Sequence, residues 1–104
     1  MNLDPRIVKD SAEDACALLK AMANPHRLMI VCALTDGEQS VGALARMLGA
    51  RETLTSQHLG RLRREGVVSA RREGQQIFYG LQSGPARALV ETLARQFCSR
   101  PHAS

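Results

Sequence analysis

Apolar residues fall along the chain in short periodic blocks separated by turn residues. Ala15, Leu18, Leu19 and Met22 follow the i, i+3, i+4, i+7 spacing of a helix with one buried stripe. Ser11, with Asp14 three residues on as a capping-box-like partner, is its expected start. Asn24-Pro25 opens a second helix, with Asn24 as N-cap and Pro25 in the first turn. Residues 28–34 are apolar almost without a break, so this helix is expected to be buried on most sides. Asp36-Gly37 ends it. Ser40 caps a short third helix with Val41, Leu44, Ala45 and Leu48 on one face, and Gly49-Ala50-Arg51 breaks it. A fourth helix is expected over about residues 52–65, stopped by Gly66. Residues 67–72 and 75–81 flank Glu73-Gly74, which predicts a hairpin. Ser83 and Pro85 open a last helix with Ala86, Leu89, Val90, Leu93 and Phe97 as its stripe.

The predicted fold class is thus mainly α with a small β-hairpin, in the order α-α-α-α-β-β-α. The 104 residues suit one domain, with residues 1–10 and 100–104 as expected frayed ends. With 44% apolar and 23% charged residues the balance is that of a globular chain. Only Phe78, Tyr79 and Phe97 are aromatic, so the core must come from aliphatic side chains.

No apolar run approaches the roughly 20 residues needed to cross a bilayer. The first ten residues lack the charged-then-apolar order of a secretory signal, so a cytoplasmic protein without membrane association is expected. Three well-separated cysteines do not make a disulfide scaffold. The net charge of +4, carried mostly by Arg, permits nucleic-acid binding without requiring it.

The third and fourth helices, joined by a tight Gly-containing turn, make a helix-turn-helix, and the basic hairpin after them fits a wing. At about 100° per residue, Leu54, Leu59 and Leu62 centre one face of the fourth helix. The opposite face carries Thr53, Ser56, Gln57, Gly60 and Arg64. Gln pairs with adenine edges, and Ser and Thr bond bases or phosphates. Candidate DNA contacts on this helix are Thr53, Thr55, Ser56, Gln57, His58, Arg61 and Arg64. His58 falls beside Leu54 and Leu62, so packing is as good a reading for it as DNA contact. Arg71, Arg72, Gln75 and Gln76 are the wing's candidate contacts, by phosphate or minor groove.

These segments resemble the winged helix-turn-helix repressors of the ArsR/SmtB family. The carrying residues are Ser40-Val41-Gly42-Ala43-Leu44-Ala45, Thr55-Ser56-Gln57-His58-Leu59-Gly60-Arg61-Leu62, Glu65-Gly66-Val67-Val68 and Gly74-Gln75-Gln76-Ile77-Phe78-Tyr79. Asn24-Pro25-His26-Arg27-Leu28 extends the likeness upstream. Where the family commonly has a small capping residue before the recognition helix, this chain has Arg51-Glu52. Glu52 near phosphates is unfavourable unless Arg51 or Arg63 offsets it.

The family's usual metal sites are not matched: no Cys lies in 38–42 and no His between Ser83 and Cys98, so no metal or other cofactor is expected. Val31-Cys32-Ala33-Leu34 and Gln96-Phe97-Cys98 instead resemble the thiol-sensing BigR/SqrR/HlyU branch. That resemblance implies a Cys32/Cys98 dithiol that senses persulfide, polysulfide or another oxidant. It implies a bridge of extra sulfurs where the two thiols stand too far apart for a direct bond of about 2.03–2.05 Å. It also implies a homodimer formed through the first and fifth helices, a palindromic double-stranded DNA operator, and release of that operator on modification. The alternatives are a metal-responsive or other-ligand repressor with structural cysteines, a small thiol enzyme, and a basic module for an acidic protein partner. Cys16, just off its stripe, reads as packing or incidental.

Overall fold

The computed structural model describes residues 4–98. Helix α1 spans Pro5–Met22, six residues longer at its start than the spacing from Ser11 implies. Asp4 caps it by accepting from the Arg6 N–H at 2.9 Å, and Pro5 takes the first turn, where no N–H is needed. The expected frayed start is therefore helical from Pro5, while 100–104 lie outside the described residues. Helix α2, Pro25–Ala33, has Asn24 as its cap, accepting from the Arg27 N–H at 3.1 Å. A 3-10 turn, Leu34–Asp36, follows.

A two-residue strand β1, Gln39–Ser40, precedes α3, Val41–Leu48. The Ser40 hydroxyl accepts from the Ala43 N–H at 3.1 Å. Gly49, at φ 65°, turns the chain left-handed and ends α3. Helix α4 covers Glu52–Arg64 and has no side-chain cap at its start. Strands β2, Val68–Glu73, and β3, Gln76–Leu81, form the wing, with Gly74 at φ 64° in the tight turn. The sheet order is β1-β3-β2, all antiparallel, with Arg71 opposite Phe78 and Ser40 on Phe78's other side. Helix α5, Pro85–Leu93, continues into a π-helical turn, Ala94–Cys98.

The core draws on every helix. Ala21, Ile30, Val31, Leu44, Leu59, Leu62, Val67, Val68 and Val90 are fully enclosed. Burying each aliphatic side chain of this kind contributes roughly 1.5–3 kcal/mol. On α4 the burial falls on Leu59 and Leu62, whereas Leu54, expected on the same face, is exposed. Apolar side chains remain uncovered on the outer helices. Ile7 is 65% exposed, Leu19 50% and Phe97 71%. No helix of the described residues is long and apolar enough to cross a membrane.

Candidate nucleic-acid interface and thiol region

Leu59 and Leu62 root α4 in the core, and this fixes which side chains point away. Thr53, Ser56 and Gln57 are exposed on its N-terminal half. Gly60 keeps the middle of the helix low, and the Arg64 guanidinium folds back over it, 3.7 Å from where a β-carbon would stand. Arg61 is half-buried, and Arg63 and Arg64 are exposed. A cavity of about 370 Å³ lies where α3, α4 and the wing meet, bordered by Gly42, Arg46, Glu52, Ser56, Gln75 and Gln76. Helix α4 and the wing tip thus open onto one cavity.

Thr55 departs from the expectation of a DNA contact. It is fully buried, and its hydroxyl donates to the Arg51 carbonyl at 2.9 Å. The helical turn directs it inward between Leu59 and Leu62, so it packs α4 and presents nothing to solvent. For His58 the structure shows packing. The ring is half-buried and stands edge-on to His26, with centroids 5.5 Å apart. Its Nδ1 lies 3.5 Å from Nη1 of Arg27. Burial first, then the charge of Arg27 and the neighbouring His26, push the His58 imidazole below its ordinary value. Arg27 in turn donates from Nε to the Ala21 carbonyl, tying the end of α1 to α2 beside α4.

On the wing, Arg72, Gln75 and Gln76 are exposed. Arg72 Nε donates to the Gly74 carbonyl at 3.2 Å, which shapes the tip. Arg71 is also exposed, yet its guanidinium is engaged by Glu38 and Glu73, both at 2.8 Å. The hydrogen bonds that Arg71 donates to those two carboxylates, Glu38 foremost, hold its proton more firmly than water would. In the sequence Arg71 reads as a wing contact like Arg72, and nothing near Glu38 marks it as the partner.

Glu52 stays at the mouth of the cavity. Among the described residues it has no ion pair with Arg51 or Arg63. Its carboxylate and the Arg46 guanidinium instead close over Gly42, 3.4 and 3.5 Å from a would-be β-carbon.

Cys32 is buried in α2 and is disulfide-bonded. It borders a cavity of about 420 Å³ together with Met29, Thr35, Met47 and Phe97. The π-helical turn that ends at Cys98 packs against α2. The side chain of Cys98 lies outside the described residues. Cys16 is free and exposed on α1, so it does not pack within this chain. No group of three or more His, Cys, Asp or Glu among the described residues is arranged to hold a metal ion.

Comparison with known proteins agrees with this geometry. A family model described as bacterial regulatory protein, arsR family, matches residues 24–70. The transcriptional activator HlyU of Vibrio cholerae is 48% identical over 98 residues, covering 94% of this chain and 89% of its own. A solved structure of reduced HlyU from that organism superposes with a TM-score of 0.85 at 44% identity, covering 90% of this chain and 99% of its own. The transcriptional repressor BigR of Xylella fastidiosa superposes with a TM-score of 0.86 at 39% identity, covering 97% of this chain and all of BigR. The homodimeric winged helix-turn-helix domain Mb0332 of Mycobacterium bovis has a TM-score of 0.73 at 30% identity, covering all of this chain and 98% of that one.

Proposed function

This chain belongs to the arsR family of bacterial regulatory proteins, a DNA-binding transcriptional regulator and not an enzyme, and from that premise we propose that it is a thiol-controlled repressor. It acts as a homodimer in the cytoplasm, as a single domain over residues 1–104, on a palindromic operator. The observation that carries the DNA-binding part is the outward set Thr53, Ser56 and Gln57 on a helix whose other face is locked by Leu59 and Leu62. Gln57 reads a base edge, Ser56 and Thr53 bond bases or phosphates, and Arg61 and Arg64 meet the backbone. Arg72, Gln75 and Gln76 follow from the wing.

Two-fold pairing through α1 and α5 covers Ile7, Leu19 and Phe97, which a single chain leaves in water. It places two α4 helices to meet half-sites about 34–36 Å apart.

Cys32 and Cys98 are the sensing dithiol. Support comes from the packing of α2 against the turn that ends at Cys98, and from the disulfide-bonded state of Cys32 beside an exposed, free Cys16. One reduced thiolate attacks a polysulfide sulfur, breaking its S–S bond and expelling a shorter hydropolysulfide. The second thiolate attacks the adduct and expels sulfide or another hydropolysulfide. The polysulfide takes up both electrons, and the cysteines end joined directly or through intervening sulfur. The closed bridge draws α5 onto α2 and turns the protomers out of register with the duplex.

Intact mass spectrometry and DNA release, measured together on reduced protein treated with polysulfide, peroxide or zinc, test this. Polysulfide is expected to add sulfur mass spanning Cys32 and Cys98 and to free the DNA, while Cys98→Ser stays bound. Normal release by Cys98→Ser overturns the dithiol.

A further inference from the structure

Arg71, on strand β2 of the wing, has all three guanidinium nitrogens engaged by carboxylates. Its Nε and Nη2 both bond Oε1 of Glu38, at 2.9 and 2.8 Å. Nη1 reaches Oε2 of Glu73 at 2.8 Å, and the guanidinium lies 5.2 Å from the centroid of Phe78. Glu38 stands in the short loop before β1, which leads straight into α3. To reach Arg71 it crosses β3 over Gly80, where a β-carbon would stand only 3.1 Å from its Cγ. Glu38 therefore joins the segment that enters the helix-turn-helix to the outer strand of the wing.

The charges of this trio sum to one positive and two negative. Such a group has no surplus charge to offer a phosphate, and on a DNA-facing hairpin its carboxylates repel the duplex. Its worth has to lie in geometry. We propose that Glu38 is a positioning residue for DNA binding, acting through Arg71 as a strut that fixes the wing's angle to α4. Arg71 is then not a phosphate ligand. This rests on the reading that the wing touches DNA.

The sign of one substitution separates strut from bystander. Removing an acidic residue near a duplex ordinarily strengthens binding, since repulsion is lost. Glu38→Gln is expected to weaken it, by roughly fivefold if the strut matches a good exposed ion pair. The probe is a duplex recovered by selection from a randomised library, titrated at several salt concentrations. Arg71→Gln and Arg71→Lys are expected to weaken binding alike, because a single ammonium does not bridge both carboxylates and the ring. The double variant Glu38→Gln/Arg71→Gln should be no weaker than either single one. Arg71→Gln should leave the salt slope unchanged, whereas Arg72→Gln should lower it by about 1.

Tighter or unchanged binding by Glu38→Gln, or full affinity in Arg71→Lys with a lower slope in Arg71→Gln, overturns the strut. If Arg72→Gln changes neither slope nor affinity, the wing reading fails and the strut with it. A lower slope in Arg72→Gln alongside an inert Glu38→Gln sinks the strut alone. Thermal unfolding of each variant checks that the fold is retained.

Discussion

His26 meets His58 edge to face, 5.5 Å between ring centroids, with the Arg27 guanidinium against the His58 ring nitrogen. This contact sews the start of α2 to the middle of α4. It favours a neutral His58, because burial, Arg27 and His26 all oppose an added proton. The unfolded chain, with an ordinary imidazole near 6.5, binds that proton more readily. Stability from this site is therefore complete above 6.5 and declines as the pH falls below it. His58→Gln is expected to flatten the pH dependence of chemical denaturation between about pH 7 and 5.5 relative to the parent chain. An unchanged slope would show that the ring titrates freely.

Neighbouring residues Thr55 and Gln57 should respond in opposite ways. Thr55→Val keeps the buried shape, and the Arg51 carbonyl still accepts from the Thr55 backbone N–H at 3.0 Å. The change in unfolding free energy is expected to stay within about 1.5 kcal/mol, with specific DNA affinity untouched. Gln57→Ala should leave stability alone and cost about 1–3 kcal/mol of specific binding, with much less lost on random duplex. Equal losses on both duplexes would remove Gln57 from base reading.

Leu59 is wholly enclosed and holds α4 to the core. Leu59→Ala is expected to lower the unfolding free energy by about 2–5 kcal/mol, measured by urea titration. Leu54→Ala, on an exposed side chain of the same helix, should cost far less.

Leu19, half exposed on α1, tests the pairing of protomers. Leu19→Glu is expected to shift sedimentation from dimer toward monomer and to weaken operator binding with it. A dimer as tight as the parent's would move the interface off α1.

Most of the fold was legible because its signals are local. Asn24-Pro25, Ser40, Gly49 and Gly74 each act on backbone within a few residues, and all occur where the pattern places them. The start of α1 is not legible because Asp4-Pro5 caps a stretch with no apolar period, and Ser11 offers a later start. Strand β1 has two residues, too few to show an alternation, and exists through pairing with β3. Thr55 reads as a DNA contact on chemistry alone. At about 100° per residue it falls between Leu59 and Leu62, so the helical angle placed it inside while its hydroxyl argued for the groove. The Arg71–Glu38 pair spans 33 residues, and no local pattern announces it. The nearness of α2 to the end of α5 is likewise a tertiary fact, which the family resemblance supplied and periodicity did not.

The anchoring of α4 by Leu59 and Leu62 has a mechanical consequence. Those side chains share their packing with Ile30 and Val31 of α2 and Val90 of α5. The reading helix has no private hinge: it cannot swivel without tearing open the interior that encloses it. In the proposed thiol-controlled dimer, a chemical event near Cys32 is then transmitted as whole-subunit leverage, each protomer moving as a stiff crank about the symmetry axis. Small angular errors at that axis grow with distance from it, so in the proposed dimer, with its wings outermost, the wing tips lose their footing first.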